Sequence, residues 1–391
     1  MRIVLAHNYY QQQGGEDVVF AAERDLLRVH GHQVEVLTDH NDRINGMSAA
    51  RLALDTIWSR SSYRAARALL RRTRAQVLHV HNSFPLLSPS LYDAARAERV
   101  PVVQTLHNWR LVCPAATLFR DGAPCRACLD TVLPWPGVRY GCYQGSRART
   151  LGVATMVTLH RLRRTWQRAV ARYVVMSEQA RAVFAEAGLP VGRLVVKPHF
   201  VAPDPGPGPG DGGYALFVGR LAEGKGLETV GEAWRRIEGL PLKVVGDGPL
   251  YERLATVAAA GTNVELLGHR SRDEVRALMA RAAFVVFASE SYETFGLVVI
   301  EAFAHGTPAV VARVGSPAEL VTDGVNGATF AAGDAADLAA VVRRLVGSPP
   351  TLASLRANAR KAYLDRFTAE RNYEQLVAVY RDVIDEVARR P

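Results

Sequence analysis

The sequence predicts an α/β chain built from two doubly wound, Rossmann-like domains. Three observations carry this reading. Short apolar runs with little alternation recur along the 391 residues, amphipathic stretches separate them, and the alternation restarts after a Pro/Gly-rich break. Runs without alternation are what strands buried on both faces of a parallel sheet look like. Strands alternating with helices imply right-handed crossovers and a doubly wound sheet.

In the first half the strands are expected at 3–6, 34–37, 77–80, 100–106 and 173–176, with helices at 18–29 and 61–74. The stretch 203–213, Pro-Asp-Pro-Gly-Pro-Gly-Pro-Gly-Asp-Gly-Gly, lacks donors at its prolines and is entropically costly to order at its glycines, so it holds neither helix nor strand. Strands resume at 214–218, 242–245, 264–266, 284–288 and 308–312, with helices at 226–238 and 273–281. The expected division is therefore a first domain at 1–200, a linker at 201–213, a second domain at 214–368 and a C-terminal segment at 369–391. That segment holds a helix over 369–388 that packs back onto the first domain. Ligands of open α/β sheets sit beyond the carboxyl ends of the strands. Two such edges facing each other predict a central cleft.

A hydrophobic fraction of 48% and a charged fraction of 22% exclude a disordered chain. No apolar run reaches the ~18 residues of a spanning helix, and the N-terminus reads as a buried strand rather than a leader. The expectation is a cytoplasmic protein. The net charge of +10 is uneven: residues 1–200 carry 27 Lys and Arg against 14 Asp and Glu, whereas the remainder is net acidic. Arginines cluster at Arg60, Arg64, Arg67, Arg71, Arg72 and Arg74. A second cluster, Arg161, Arg163, Arg164, Arg168 and Arg172, is interleaved with Leu159, Leu162 and Trp166. Basic helices with apolar companions suit an anionic membrane surface, here the inner face, or a phosphate-bearing acceptor. The competing reading is solvated helix faces. Nucleic acid is not expected, since no binding motif accompanies the charge.

Chemistry concentrates at two junctions of the second half. Val218-Gly219-Arg220 to Lys225-Gly226 leaves a strand, turns through glycines and enters a helix. Free amides and two cations there suit a diphosphate. Glu290 to Glu301 follows the strand 284–288 and enters a helix near Phe295-Gly296, whose first amides can hold phosphate oxygens. Glu293 stands on the loop. Glu301 lies among Ile300, Ala302 and Phe303, where a carboxylate is costly unless a partner such as a ribose hydroxyl satisfies it. No Asp-x-Asp pair occurs in the chain, so the carboxylate grip on a divalent ion is missing and the expected chemistry is metal-independent.

These residues at their spacing resemble the family-four retaining glycosyltransferases of the GT-B fold. Val245-Gly246-Asp247-Gly248-Pro249, Leu267-Gly268-His269, Gly14-Gly15-Glu16 and His107 extend the resemblance over nearly the whole chain. It implies a retaining, hexosyltransferase-like enzyme with a nucleotide diphosphate-sugar donor of UDP or GDP type and a glycan, lipid-linked or small-molecule acceptor. Arg220 and Lys225 then hold the diphosphate and Glu301 the ribose. Glu293 contacts the donor sugar beside Thr294, Phe295, Gly296 and Leu297. Gly219 and Gly246 shape the turns, and the backbone around His269 holds the base. His107 positions the sugar, and Gly14 and Gly15 allow close backbone approach. No catalytic cofactor is implied. A silent nucleotide-sugar-binding protein on the same fold is the alternative.

Cys113, Cys125, Cys128 and Cys142 are the only cysteines and fall inside an irregular segment, 111–146. Four thiolates including a CxxC pair suit a structural zinc; four free thiols are the other reading. His79 and His81 read as core or loop residues, while His7 and Asn8 end the first strand and are candidates to line the cleft.

Overall fold

The computed structural model describes residues 1–12, 14–259 and 262–389. Its strands are β1 (Arg2–Tyr9), β2 (Gln33–His40), β3 (Val77–Asn82), β4 (Val102–Thr105), β5 (Phe119–Arg120), β6 (Ala123–Pro124), β7 (Arg172–Val175), β8 (Leu194–Val196), β9 (Ala215–Val218), β10 (Leu242–Val245), β11 (Val264–Gly268), β12 (Phe284–Phe287), β13 (Ala309–Ala312) and β14 (Gly327–Phe330). One six-stranded sheet runs β2-β1-β3-β4-β7-β8 and another β11-β10-β9-β12-β13-β14. Every pairing in these two sheets is parallel. The short β5–β6 hairpin is antiparallel. All ten expected strands are present. β8 and β14 are additions, short strands that close one edge of each sheet.

The chain divides into two compact units. One comprises Met1–Leu118, Arg126–His199 and the C-terminal stretch from Glu370; the other comprises Phe119–Cys125 and Phe200–Ala369. In the first unit, Ile3, Leu5, Val77, Val103 and Val174 of the sheet pack with Phe20 and Leu27 of the helix Gly15–Val29. The last helix, Ala369–Ala388, adds Leu376, Val377, Tyr380 and Val383 to the same core. Residues 390–391 of the expected C-terminal segment lie outside the described residues. In the second unit, Phe217, Val244, Phe284 and Val310 of the sheet pack with Trp234 and Leu338 of its covering helices.

The Pro/Gly stretch holds no helix or strand, and it is tied down along the second unit. The amides of Gly208, Gly210 and Gly212 donate to the carbonyls of His305, Ala280 and Arg281 at 2.8, 3.0 and 2.8 Å. A Cβ on Gly208 would stand 2.3 Å from the Ala280 carbonyl oxygen, so only glycine allows that approach.

Strand order places the loops that matter. In the second sheet the order reverses between β9 and β12, and in the first between β1 and β3. At such a reversal the connections leave in opposite directions and open a crevice at the carboxyl ends.

Candidate functional site

The loops after β9 and β12 meet at the second sheet's reversal point. Gly226, at φ +70°, caps the helix Leu227–Trp234; a Cβ there would lie 1.9 Å from the Ala288 carbonyl oxygen. That contact draws the two loops together. The amide of Glu290 donates to the Gly224 carbonyl at 2.8 Å, and the Thr229 hydroxyl donates to the Glu290 carboxylate at 2.6 Å. The Lys225 ammonium then reaches Glu293, donating to its carboxylate at 2.5 Å, and Ser289 donates to the same oxygen at 2.9 Å. Both partners of the ion pair remain partly open to solvent. The pair is therefore worth little to stability, and its charges stay available to a ligand.

Arg220 sits on the same loop with its side chain exposed and makes no ion pair among the described residues. The backbone beside it is fixed. Gly219 donates to Val245 at 3.0 Å and Leu221 to Asp247 at 2.9 Å. Gly246, at φ +144°, brings its Cα against the Gly219 carbonyl, where a Cβ would be 1.9 Å away. Any side chain at 246 would separate the two turns. Gly246 also donates to Gly268 at 3.0 Å, which sets the end of β11 and the exposed His269 beside the same turn.

The helix expected near Phe295-Gly296 begins at Leu297, with Gly296 as its N-cap, and runs to Ala304. Thr294 and Phe295 are buried beneath the loop. Ser316 donates to the Glu293 carbonyl at 3.3 Å, which fixes the backbone there. Glu301 is partly buried one turn into this helix and makes no hydrogen bond or ion pair among the described residues. Burial pushes its carboxyl above the usual carboxylate range, against the opposing pull of Arg272 and Arg276. This is the open polar capacity that its apolar neighbours led one to expect.

The first unit holds a different arrangement. Gly14 caps the helix Gly15–Val29, and its amide donates to Asp17 at 2.7 Å. Asp17 also meets His7 Nε2 at 2.6 Å. His107, just past β4, meets His81 Nδ1 through its Nε2 at 3.0 Å and stacks on both His81 and His199 with ring centroids 5.2 Å apart. His79 is held between the Tyr380 and Thr105 hydroxyls at 2.7 and 2.8 Å. Beneath these rings, buried Lys197 and Glu23 pair at 2.6 Å. Burial, reinforced by His199 and His81, holds His107 neutral well below its ordinary value, and burial with Lys197 pushes His199 down to about 3. Sequence reasoning singled out His107 but missed Glu23, Lys197 and His199. They come from separate segments and share no local motif.

Glu16 stands in the Gly14-Gly15-Glu16 stretch that carries the resemblance but has no role assigned there. Its carboxylate faces Tyr10, Asn108 and Arg110, and burial raises its pKa to about 7. The only sequence signal was its place directly after Gly14-Gly15.

Cys113 and Cys128 are buried and Cys125 and Cys142 partly buried. Among the described residues, the one group of three or more potential ligands whose donor atoms lie within 4.8 Å of one another is Glu23, His79 and His81. Trp166, read as an apolar companion in a basic helix, is fully buried. The helix Arg147–Leu162 ends before it, and its ring meets Tyr92 edge-on.

Two parallel Rossmann-like sheets, the second with a cationic loop and a helix N-terminus at its reversal point, define the GT-B class. The model for Glycosyltransferase Family 4 matches residues 13–205, and that for Glycosyl transferases group 1 matches 204–362. The chain belongs to the family-four glycosyltransferases. It is 31% identical over 180 residues to the uncharacterized glycosyltransferase MJ1178 of Methanocaldococcus jannaschii, covering 46% of this chain and 49% of that protein. It is 36% identical over 156 residues to glycogen synthase of Mycobacterium tuberculosis, covering 38% and 37%. The chain thus spans about half the length, or less, of these curated relatives. Crystal structures of similar fold include Anabaena HepE in complex with UDP and glucose, at a TM-score of 0.69 and 18% identity, covering 98% of this chain and all of that one. Sucrose-phosphate synthase from Thermosynechococcus elongatus aligns at 0.72 and 19% identity over 98% and 99%. Among the described residues, no helix is long and apolar enough to cross a membrane.

Proposed function

We propose that this chain is a retaining, metal-independent glycosyltransferase that moves a sugar from a nucleotide diphosphate-sugar to a glycan, lipid-linked or small-molecule acceptor. The observation that carries the reading is the second unit's reversal point. There Lys225 is paired to Glu293, Arg220 lacks an acidic partner among the described residues, and a helix begins at Leu297. Fixed cations and helix amides stabilise the charge that grows on a departing diphosphate, which is the largest single contribution in many enzymes. Such a leaving group needs no proton. Arg220 and Lys225 supply the charge that a divalent ion supplies elsewhere, consistent with the missing Asp-x-Asp.

Glu301, desolvated and without a partner among the described residues, suits two ribose hydroxyls, which would satisfy it on binding. Glu293, oriented by Lys225 and Ser289, accepts from hydroxyls of the donor sugar. The turn at Gly246 and the strand end at His269 offer backbone groups to the base. His107, held neutral, donates or accepts a hydrogen bond at the sugar without bringing charge. Gly14 and Gly15 leave the helix start after β1 open to an acceptor or phosphate.

Because the Anabaena protein of similar fold is solved with UDP and glucose, UDP-sugars are the first donors to try, with GDP-sugars beside them. Donor and protein are incubated in excess chelator, and release of nucleotide diphosphate is followed while proton NMR records the anomer formed. Release in chelator with retention supports the reading. A strict requirement for added divalent ion, an inverted product, or no release from any donor of either series would refute it.

A further inference from the structure

The first unit carries an exposed apolar patch that the donor chemistry leaves unused. Among the described residues thirteen large apolar side chains are strongly exposed, and seven of them lie between positions 54 and 140 or on the helix Arg147–Leu162. The most exposed are Leu54, Val132, Trp135, Tyr140, Leu151 and Leu162, open to between 48% and 68%. They sit on adjoining elements. The helices Ala49–Ile57 and Trp135–Tyr140 both pack against the helix Arg147–Leu162, and His160 Nε2 meets the Ile57 carbonyl at 3.0 Å. On the helix Arg147–Leu162, Ala148, Leu151, Thr155 and Leu162 form an outward stripe at helical spacing, while Val153, Met156 and Val157 are buried.

The surrounding segments are rich in arginine. The 47 residues between Asp130 and Glu178 contain eight arginines and no Asp or Glu, and the 37 between Asp55 and Asp93 contain six and none. Directly after the first helix, Trp58, Tyr63, Arg60, Arg64, Arg67 and Arg71 line a groove of about 400 Å³. Glu98 engages Arg67 and Arg71 at 2.5 and 2.7 Å. Arg60 and Arg64 stay exposed with no ion pair among the described residues.

We infer that this face docks on an anionic lipid bilayer, with Leu54, Trp135, Leu151 and Leu162 entering the interface and the arginine groove seating headgroup phosphates. Apolar side chains rimmed by arginine combine the two terms of interfacial binding, area buried among acyl chains and attraction to anionic lipid. Nucleic acid would use the arginines but gives solvent-exposed leucines nothing to bury against. A second copy would set two like-charged faces against each other. Exposed patches of this kind mark interaction surfaces.

The inference is independent of the donor reading: nucleotide release in free solution reports on the latter, vesicle binding on the former. The test is co-sedimentation of the full chain with vesicles of phosphatidylcholine and phosphatidylglycerol, and with phosphatidylcholine alone, at 50 and 500 mM NaCl. Binding to the anionic vesicles at low salt and its loss at high salt are expected. Arg163→Glu with Arg164→Glu should weaken binding by at least about 25-fold, at roughly fivefold for each arginine. Leu151→Ser with Leu162→Ser should weaken it about tenfold, with the melting temperature of both variants unchanged. No sedimentation with anionic vesicles, equal binding to neutral ones, indifference to the leucine pair, or self-association that vanishes in the leucine variant would overturn it.

Discussion

The two units treat polar side chains at their sheet edges in opposite ways. In the first, His7, His79, His81, His107 and His199 are joined to Asp17, Glu23, Lys197, Thr105 and Tyr380, while His7 Nδ1, His81 Nε2 and Glu23 Oε2 are left without a hydrogen bond among the described residues. In the second, Arg220 is exposed, Lys225 and Glu293 are half open, and Glu301 is desolvated without a partner among the described residues. A buried network of paired groups ties segments together, whereas open polar capacity at a helix N-terminus is a standing cost that a ligand removes. The donor is therefore assigned to the second unit, and the first unit's network is assigned mainly to structure, with His107 at its open end.

The sharpest way to break that contrast is acid. His7, His79, His107 and His199 are all held below their ordinary value, chiefly by burial. Their stabilisation is complete above about pH 6.5 and is lost as pH falls below it, because the unfolded chain takes up the protons first. Each contributes up to about 1.4 kcal/mol per pH unit, so urea midpoints should collapse between pH 6.5 and 5. A flat profile there would mean that the network is not closed as described.

The next effect is on turnover. Lys225→Ala should lower kcat by roughly a hundred- to thousand-fold, the usual loss for one preorganised transition-state donor. The melting temperature should barely move, because a half-exposed pair contributes little to stability. Near-normal turnover would remove the second unit's cation from the chemistry.

Glu301→Gln separates binding from folding. The folded carboxyl titrates above its unfolded value, so its charge destabilises the apo protein once pH exceeds that of an ordinary glutamate. Relieving that cost should raise the apo melting temperature, by about 2–4 °C for each kcal/mol relieved in a chain of this size. The shift induced by nucleotide diphosphate should shrink at the same time. A lower apo melting temperature would show that Glu301 already has a partner.

The smallest effect belongs to Glu16, raised to about 7. It gains stability as pH falls from 7 toward 4.5, opposing the histidines. Glu16→Gln should therefore steepen the acid loss modestly and raise stability at pH 8, as read from urea midpoints.

How much of this the chain declares in advance depends on locality. The sheets were legible because ten strands are apolar runs set off by turns. β8 and β14 were not, since Leu194–Val196 and Gly327–Phe330 are too short, and the latter too rich in Gly and Thr, to stand out. The donor loops were legible because Arg220 to Gly226 and Glu293 to Glu301 are each continuous. The network around Glu23 was not, because positions 7, 23, 79, 107 and 197 come from separate strands, a helix and loops that only the folded chain brings together. Trp166 shows the reverse failure, since its arginine neighbours read as an exposed face while the ring fills the core.

Calorimetric titration measures the grip of the second unit's cations and helix amides on a diphosphate. UDP and GDP are each compared with UMP and GMP in chelator, on the wild type and on Arg220→Ala. One diphosphate should bind at least about tenfold more tightly than its monophosphate, and Arg220→Ala should erase most of that difference. Equal affinity for diphosphate and monophosphate, or a preference untouched by the loss of Arg220, would contradict that grip.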